Sequence, residues 1–187
     1  MARRAVTTAM GVVMVPSGSD DAELRPVTGN GMSLQEQRDR LTAEIAERTG
    51  IDDGLIARLV HEFYGRVRKD PMLGPIFDAR VADWGVHLER MCAFWSSVAL
   101  MTGRYHGRPM EKHLPLPVDA HHFDRWLALF EETARATCTP VAADHFIERA
   151  RRIAESLEMG IAGSQGILLG KGERFVRPAA GSEAGGV

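Results

Sequence analysis

Residues 51–70 read IDDGLIARLVHEFYGRVRKD, and their apolar members are Ile51, Leu55, Ile56, Leu59, Val60, Phe63, Tyr64 and Val67. From Leu55 onward the recurrence at i, i+1, i+4, i+5 is that of an α-helix with a wide apolar face. Asp52 or Asp53 can cap its start, and Asp70-Pro71 ends it, because proline disfavours a helical conformation in the residue before it. So wide a face needs partners on more than one side, which places this helix in a core.

Outward from that helix the periodicity stays helical. On the N-terminal side, Ser33 and Glu36 form an S-x-x-E capping box, and Leu34, Leu41 and Ile45 make a thin apolar stripe that stops at Gly50, which predicts a peripheral helix over 33–50. On the C-terminal side, Met72 to Phe77 is too short and too rich in Gly and Pro for more than one turn. From about Val81 to Met101, Trp84, Leu88, Met91 and Trp95 recur at i, i+4, i+7, i+11, and Phe94, Val98 and Ala99 widen the face until its second half is apolar nearly all round. Asp119 caps a helix carrying Phe123, Trp126, Leu127 and Phe130 on one face. Thr139-Pro140 opens another, along which Phe146, Ala150, Ile153, Leu157 and Ile161 follow at helical spacing. No alternating run asks to be a strand, so the fold class is all-α with four core helices and short turns.

Gly103 to Val118 is the exception, with Gly107, Pro109, Pro115 and Pro117 as breakers. Pro109 can still begin one helical turn over Met110 to Leu114, and that turn holds His113. A connection this long in a compact helical domain is often functional.

Composition narrows the function. The chain has 187 residues, 44% hydrophobic and 26% charged, enough for one core with tails. A net charge of −2 and the lack of any Lys/Arg run argue against nucleic acid and membrane-surface partners. Cys92 and Cys138 show no CxxC spacing, and two unpaired thiols fit a reducing cytoplasm. Ala2-Arg3-Arg4 and the apolar run after it are broken by Thr7, Thr8 and Gly11 and lack a convincing cleavage site, so they are not read as a signal peptide. Residues 1–32 mix Gly, Ser, Asp and Pro without period and are expected to be a disordered extension, with Met32 as a candidate second start. Residues 163–187, rich in Gly, Ser and Ala, are expected to be a mobile tail after a domain spanning 51–162.

Placed on these helices, several residues make the parts of a buried haem pocket. Iron needs one strong axial ligand, and a His on a short turn can supply it while its other ring N–H is held by a backbone carbonyl; His113 is that candidate. On the opposite face, hydrogen-bond donors in an apolar wall stabilise the partial negative charge of a bound diatomic ligand, and the Tyr64 O–H and Trp126 Nε1–H are such donors. His87 shares a helix face with Met91 and Phe94 and can line or gate the same cavity. Each residue also has a plainer reading. His61, His106, His121, His122 and His145 show that histidine is not scarce, and Tyr64 and Trp126 can be core residues whose polar tips found partners. A zinc site from His121, His122 and His145 has neither a cysteine nor an HExxH motif behind it.

The combination adds more than its members. The runs Phe63-Tyr64-Gly65-Arg66-Val67-Arg68-Lys69-Asp70, Leu73-Gly74-Pro75-Ile76-Phe77, Asp83-Trp84, His87, Phe94-Trp95, Tyr105-His106-Gly107, Pro109-Met110, His113-Leu114 and Phe123-Asp124-Arg125-Trp126-Leu127 closely resemble the third group of truncated haemoglobins. The resemblance covers about Ile51 to Ile161, and the paired-glycine motifs of the other truncated groups are absent. It implies a globin-like, truncated two-over-two helical sandwich that binds haem b non-covalently. By that resemblance His113 is the proximal histidine and metal ligand. Tyr64, His87 and Trp126 are the distal ligand-binding residues, and Phe63, Met91, Phe94 and Phe123 contact the cofactor. Arg108 and Lys112 flank the proximal turn and can pair with haem propionates, unless they are merely solvated.

The leading expectation is reversible binding of O2, NO and CO. The rival is an enzyme, an NO dioxygenase or peroxidase-like protein; with no flavin or nicotinamide domain in the sequence, it would draw electrons from a separate reductase. A haem-free helical interaction module is the third reading.

Overall fold

The computed structural model describes residues 32–177; residues 1–31 and 178–187, on which the expected N-terminal extension and the end of the expected tail fall, lie outside the described residues. The described residues form seven helices and no strand: α1 Leu34–Thr49, α2 Asp53–Val67, α3 Gly74–Asp78, α4 Trp84–Leu100, α5 Pro109–His113, α6 Ala120–Thr137 and α7 Pro140–Ser164. Helix α2 packs on α4 and α6 packs on α7, and the two pairs meet mainly through α2 against α6. That is a two-over-two sandwich, with α1 laid against α4 and α7. No helix among the described residues is long and apolar enough to cross a membrane.

Local chemistry sets the ends of these helices. Ser33 Oγ accepts from Glu36 N at 3.2 Å while Glu36 Oε2 accepts from Ser33 N at 2.7 Å, the reciprocal capping box read from the sequence. Gly50 ends α1 at φ +69°, where a side chain would be strained. Asp52 caps α2 through Leu55 N at 2.7 Å. Asp83 caps α4 through Val86 N at 3.1 Å, so α4 begins at Trp84 rather than near Val81. The last carbonyls of α4, which have no intrahelical partner, are met from other helices. Arg149 Nε donates to Val98 O at 3.2 Å, His145 Nε2 to Ala99 O at 2.8 Å, and Thr42 Oγ1 to Leu100 O at 2.7 Å.

The wide face of α2 lies in the core as its pattern requires. Leu55, Ile56, Leu59, Val60, Phe63, Tyr64 and Val67 are all buried. Each such side chain stabilises the fold by about 1.5–3 kcal/mol relative to exposure. An aromatic column carries the contact across the layers. Trp126 stacks on Phe130 at 5.3 Å, Phe130 on Trp95 at 4.7 Å, and Phe146 meets the Trp95 ring edge-on at 5.8 Å. The second half of α4 is less uniformly buried than its composition predicts: Trp95, Ser96, Ala99 and Leu100 are buried, whereas Met91, Phe94 and Val98 are half-buried. On α1, Ile45 is buried but Leu34 is fully on the surface.

Asp70, just past α2, is 5% exposed. Its carboxylate accepts from Met72 N, from Leu73 N and from Arg125 Nε of α6, the last at 2.7 Å. Burial alone would raise its pKa, but the hydrogen bonds from Leu73 N, Arg125 and Met72 N outweigh that and hold it below its ordinary value of 3.8. Asp70→Asn is expected to cost about 1–2 kcal/mol at pH 7, as one charge-assisted bond weakens and the backbone bonds lose the ionised acceptor. A lowered carboxyl pKa stabilises the fold above the unfolded value and stops doing so as pH falls through the folded one. The gap between parent and variant in urea melts is therefore expected to close as pH drops below about 4; a constant gap would show that the pair contributes by shape alone.

The expectation of a mobile tail from Gly163 is corrected for residues 163–177. Helix α7 continues to Ser164, and the chain then returns along α6 and α7. Phe175 is 1% exposed, its N–H donates to Glu158 Oε1 at 2.7 Å, and its carbonyl accepts from Ala120 N at 2.7 Å. Arg174 binds both Glu158 oxygens, at 3.0 and 2.9 Å, and Asp124 at 2.7 Å. The glycine-rich composition hid this because the docking rests on a few residues, chiefly Arg174 and Phe175.

Candidate functional site

Tyr64 and Phe63 stand side by side near the end of α2 with rings 5.0 Å apart, and both are buried. From α4, His87 presents its ring edge-on to Tyr64 at 5.0 Å. From α6, Trp126 meets Phe63 edge-on at 5.3 Å. The structure thus brings together Phe63, Tyr64, His87 and Trp126, drawn from three of the four helices that the sequence pattern assigned to the core.

Two further aromatics complete the cluster. Trp84 lies 5.5 Å from His87 and 6.2 Å from Tyr64, and Phe77 from α3 stacks on Trp84 at 6.4 Å and approaches Tyr64 at 5.7 Å. The Arg68 guanidinium covers the outer face of this group, 4.7 Å from the Trp84 ring centre. Trp84 was legible as a partner of His87 three residues later on one helix; Phe77 and Arg68 were not, because α3 and the end of α2 meet α4 only in space.

Polar atoms in this cluster are few and specific. His87 Nε2 is buried and has no hydrogen-bond partner among the described residues. Burial, with Arg90 adding to it, pushes the His87 pKa below its ordinary value, so the ring is neutral at pH 7. Burial also pushes the Tyr64 phenol above its usual range, aided by Tyr105, which keeps the hydroxyl protonated and able to donate. An unpaired buried nitrogen costs free energy unless something polar comes to it, so His87 Nε2 is the polar atom of this wall left open to a partner.

His113 ends the five-residue helix α5, which begins at Pro109 as the sequence indicates. Its Nδ1 lies 2.7 Å from the Pro109 carbonyl. A carbonyl can only accept, so Nδ1 carries a proton, and the neutral tautomer compatible with this bond is the one with its lone pair on Nε2. Backbone support of this kind fixes both ring orientation and tautomer in a metal-binding histidine.

The remaining sequence-predicted residues divide between two buried clusters. Met91 and Phe94 are half-buried against the larger one, with Phe94 touching Tyr105 at 5.2 Å. Phe123 is buried in the smaller one, with Met110 and Leu114 of the proximal turn packed against it. Leu127 and Ile153 border both clusters, so the apolar surface between the two halves of the core is lined by half-buried side chains. Arg108 is already paired with Glu111 at 2.9 Å, and both are largely exposed. Asp70 and Arg125, which the sequence reading did not pair, tie the chain just past α2 to the first half of α6, one residue before Trp126.

The bacterial-like globin family matches residues 45–159. A group 3 truncated haemoglobin of Campylobacter jejuni is 35% identical over 113 residues, which are 58% of this chain and 89% of that protein. A group 2 truncated haemoglobin of Bacillus subtilis is 29% identical over 84 residues, 44% of this chain and 64% of that protein. The crystal structure of a group III truncated haemoglobin from Campylobacter jejuni superposes with a TM-score of 0.55 at 34% identity, covering 66% of this chain and 95% of that one. With the helical sandwich and the aromatic cluster already described, these matches show that the chain belongs to the bacterial-like globins and, within them, to the group III truncated haemoglobins, a family of haem globins.

Proposed function

We propose that the protein is a haem b globin that reversibly binds O2 and other diatomic ligands such as NO and CO, and that His113 Nε2 would hold the iron. The observation that carries this reading is the His113 ring held through Nδ1 by the Pro109 carbonyl at 2.7 Å, which presents the Nε2 lone pair as a ligand. The other residues fit the same group. Buried His87 Nε2 without a partner supplies a polar atom for a guest, and the half-buried faces of Met91 and Phe94 supply apolar contact. Phe63 and Phe123 sit in the two clusters on either side of that contact surface.

When bound, haem supplies an iron atom able to take a diatomic ligand and exchange electrons. The chain supplies the rest. Tyr64 Oη and Trp126 Nε1 would donate hydrogen bonds to a ligand that gains negative charge, which would favour O2 over less polar ligands. Phe63, Phe77 and Trp84 keep water away from those bonds, which strengthens them. Donors of this kind slow ligand release, so sensing or scavenging suits the site better than bulk transport.

Spectra of the purified protein, oxidised, reduced and reduced under CO, test the reading. An intense Soret band that shifts on reduction and sharpens with CO is expected. A chain that stays colourless after haem is added would instead be a helical interaction module.

The protonated Tyr64 hydroxyl also favours a redox role, because a donor that stabilises a bound diatomic ligand can polarise an O–O bond. NO dioxygenation or peroxide reduction would then need a reductase as electron donor. Repeated NO consumption when a reductase and reduced nicotinamide are supplied would establish the enzyme; a single stoichiometric reaction would establish the binder.

A further inference from the structure

Helix α5 is five residues long and contains no buried residue, yet it carries His113. A helix that short does not hold itself together in water, so its order comes from what it packs on. Met110, Leu114 and Leu116, on and just after α5, pack against the smaller buried cluster. Met110 also lies in close contact with Gly160 of α7, where an added Cβ would collide with its sulfur.

Among the members of that cluster, only Phe175 and Ile161 are large side chains with less than 2% exposure. Phe175 belongs to the segment after α7, beyond residues 45–159 matched by the globin family. The segment is anchored at several points. The Glu158 carboxylate, on a residue 4% exposed, accepts from Arg174 and from Phe175 N, and the Ala120 N–H at the start of α6 donates to Phe175 O. Arg177 N donates to Asp119 Oδ2 at 3.3 Å, which ties the segment to the residue capping α6. The Leu116 N–H, on the link between α5 and α6, donates to the His113 carbonyl at 2.9 Å.

We propose that residues 165–177 form a proximal strap, with Phe175 as a positioning residue that holds α5 in place and so sets how firmly His113 is presented to the iron. The hydrogen bonds of Arg174, Phe175 and Arg177 go to Leu116, Asp119, Ala120, Asp124 and Glu158, and none goes to Tyr64, His87 or Trp126. The strap bears on the turn that carries His113, and in that respect the inference rests on the haem reading above.

Hydrogen exchange on the full chain as purified, comparing parent, Phe175→Ala and Phe175→Leu, reads the turn whether or not haem is present. In Phe175→Ala the amides of residues 110–114 and of Leu116 are expected to exchange about tenfold faster while those of α2 are unchanged, and haem loss is expected to accelerate about tenfold, the size of effect typical of removing support from a metal-binding histidine. The iron–histidine stretch of the reduced protein should broaden or shift, and Phe175→Leu should restore most of both effects. Unchanged exchange over residues 110–114 and Leu116, or an equal rise across α2, α6 and α7, would overturn the strap as a positioning element. Should Phe175→Ala fail to fold, Arg174→Ala keeps the core volume, releases the anchor and is read at the same amides. A colourless parent would remove the haem reading, and the exchange comparison would still decide whether the strap orders α5.

Discussion

His113→Ala is expected to weaken haem binding by about a hundredfold or more, the upper end of what is lost when a metal site's support is removed, since here the ligand itself goes. The remaining hold would be apolar contact from residues such as Met91, Phe94 and Phe123, which is non-directional and leaves the iron without a protein ligand. Stability of the polypeptide should change little, because His113 is only half-buried and its one internal bond is to Pro109 in the same turn. Transfer of haem to an excess of an apo-globin scavenger measures the loss. Added imidazole should recover the parent-like spectrum by filling the space left by the side chain. Unchanged haem retention and an unchanged Soret band in His113→Ala would show that another residue ligates the iron.

Tyr64→Phe has the second largest expected effect, on ligand kinetics. It keeps the ring that packs on Phe63, His87 and Trp84 and removes one donor. A hydrogen bond to a charged or charge-gaining group contributes about 1.5–3 kcal/mol, which corresponds to roughly a tenfold to hundredfold faster O2 dissociation. CO, which gains less negative charge, should be affected much less, so the ratio of the two rates is the sharper readout. The difference between parent and variant should stay flat from pH 6 to pH 9, because burial holds the Tyr64 hydroxyl protonated well beyond that range. A raised phenol pKa leaves the fold's stability intact below the ordinary value of 10 and withdraws it as pH rises further, so alkaline unfolding should begin later in Tyr64→Phe. An unaltered O2 dissociation rate would reduce Tyr64 to core packing and leave Trp126 as the donor.

These two substitutions separate what the two faces of the site do. In the proposed reading the His113 side is a short turn whose histidine is oriented by one backbone bond, and its failure would release the cofactor. The Tyr64 side is an aromatic wall with few polar atoms, and its failure would change the lifetime of a bound ligand. Asp70 and Arg125 link the elements carrying that wall, so a defect there lowers stability before it changes ligand chemistry.

Much of this was legible in the order of residues because helices are local objects. The face of α2, the capping box at Ser33 and Glu36, the cap at Asp52, the start of α5 at Pro109 and the Thr139-Pro140 opening of α7 each depend on neighbours within a turn or two. The resemblance to group III truncated haemoglobins was legible for the same reason: its marks are short runs at set intervals. Tertiary structure decided what depends on residues far apart in the chain. It turned His87 inward against Tyr64 and Trp84, brought Phe77 and Arg68 against the same aromatic cluster, and paired Asp70 with Arg125 across 55 positions. It also seated Phe175 in the core from a stretch whose composition reads as a tail. Periodicity records which face of a helix is apolar; only packing determines which distant side chain meets it, because the free energy of burial is shared by all apolar partners and shape and hydrogen bonds choose among them.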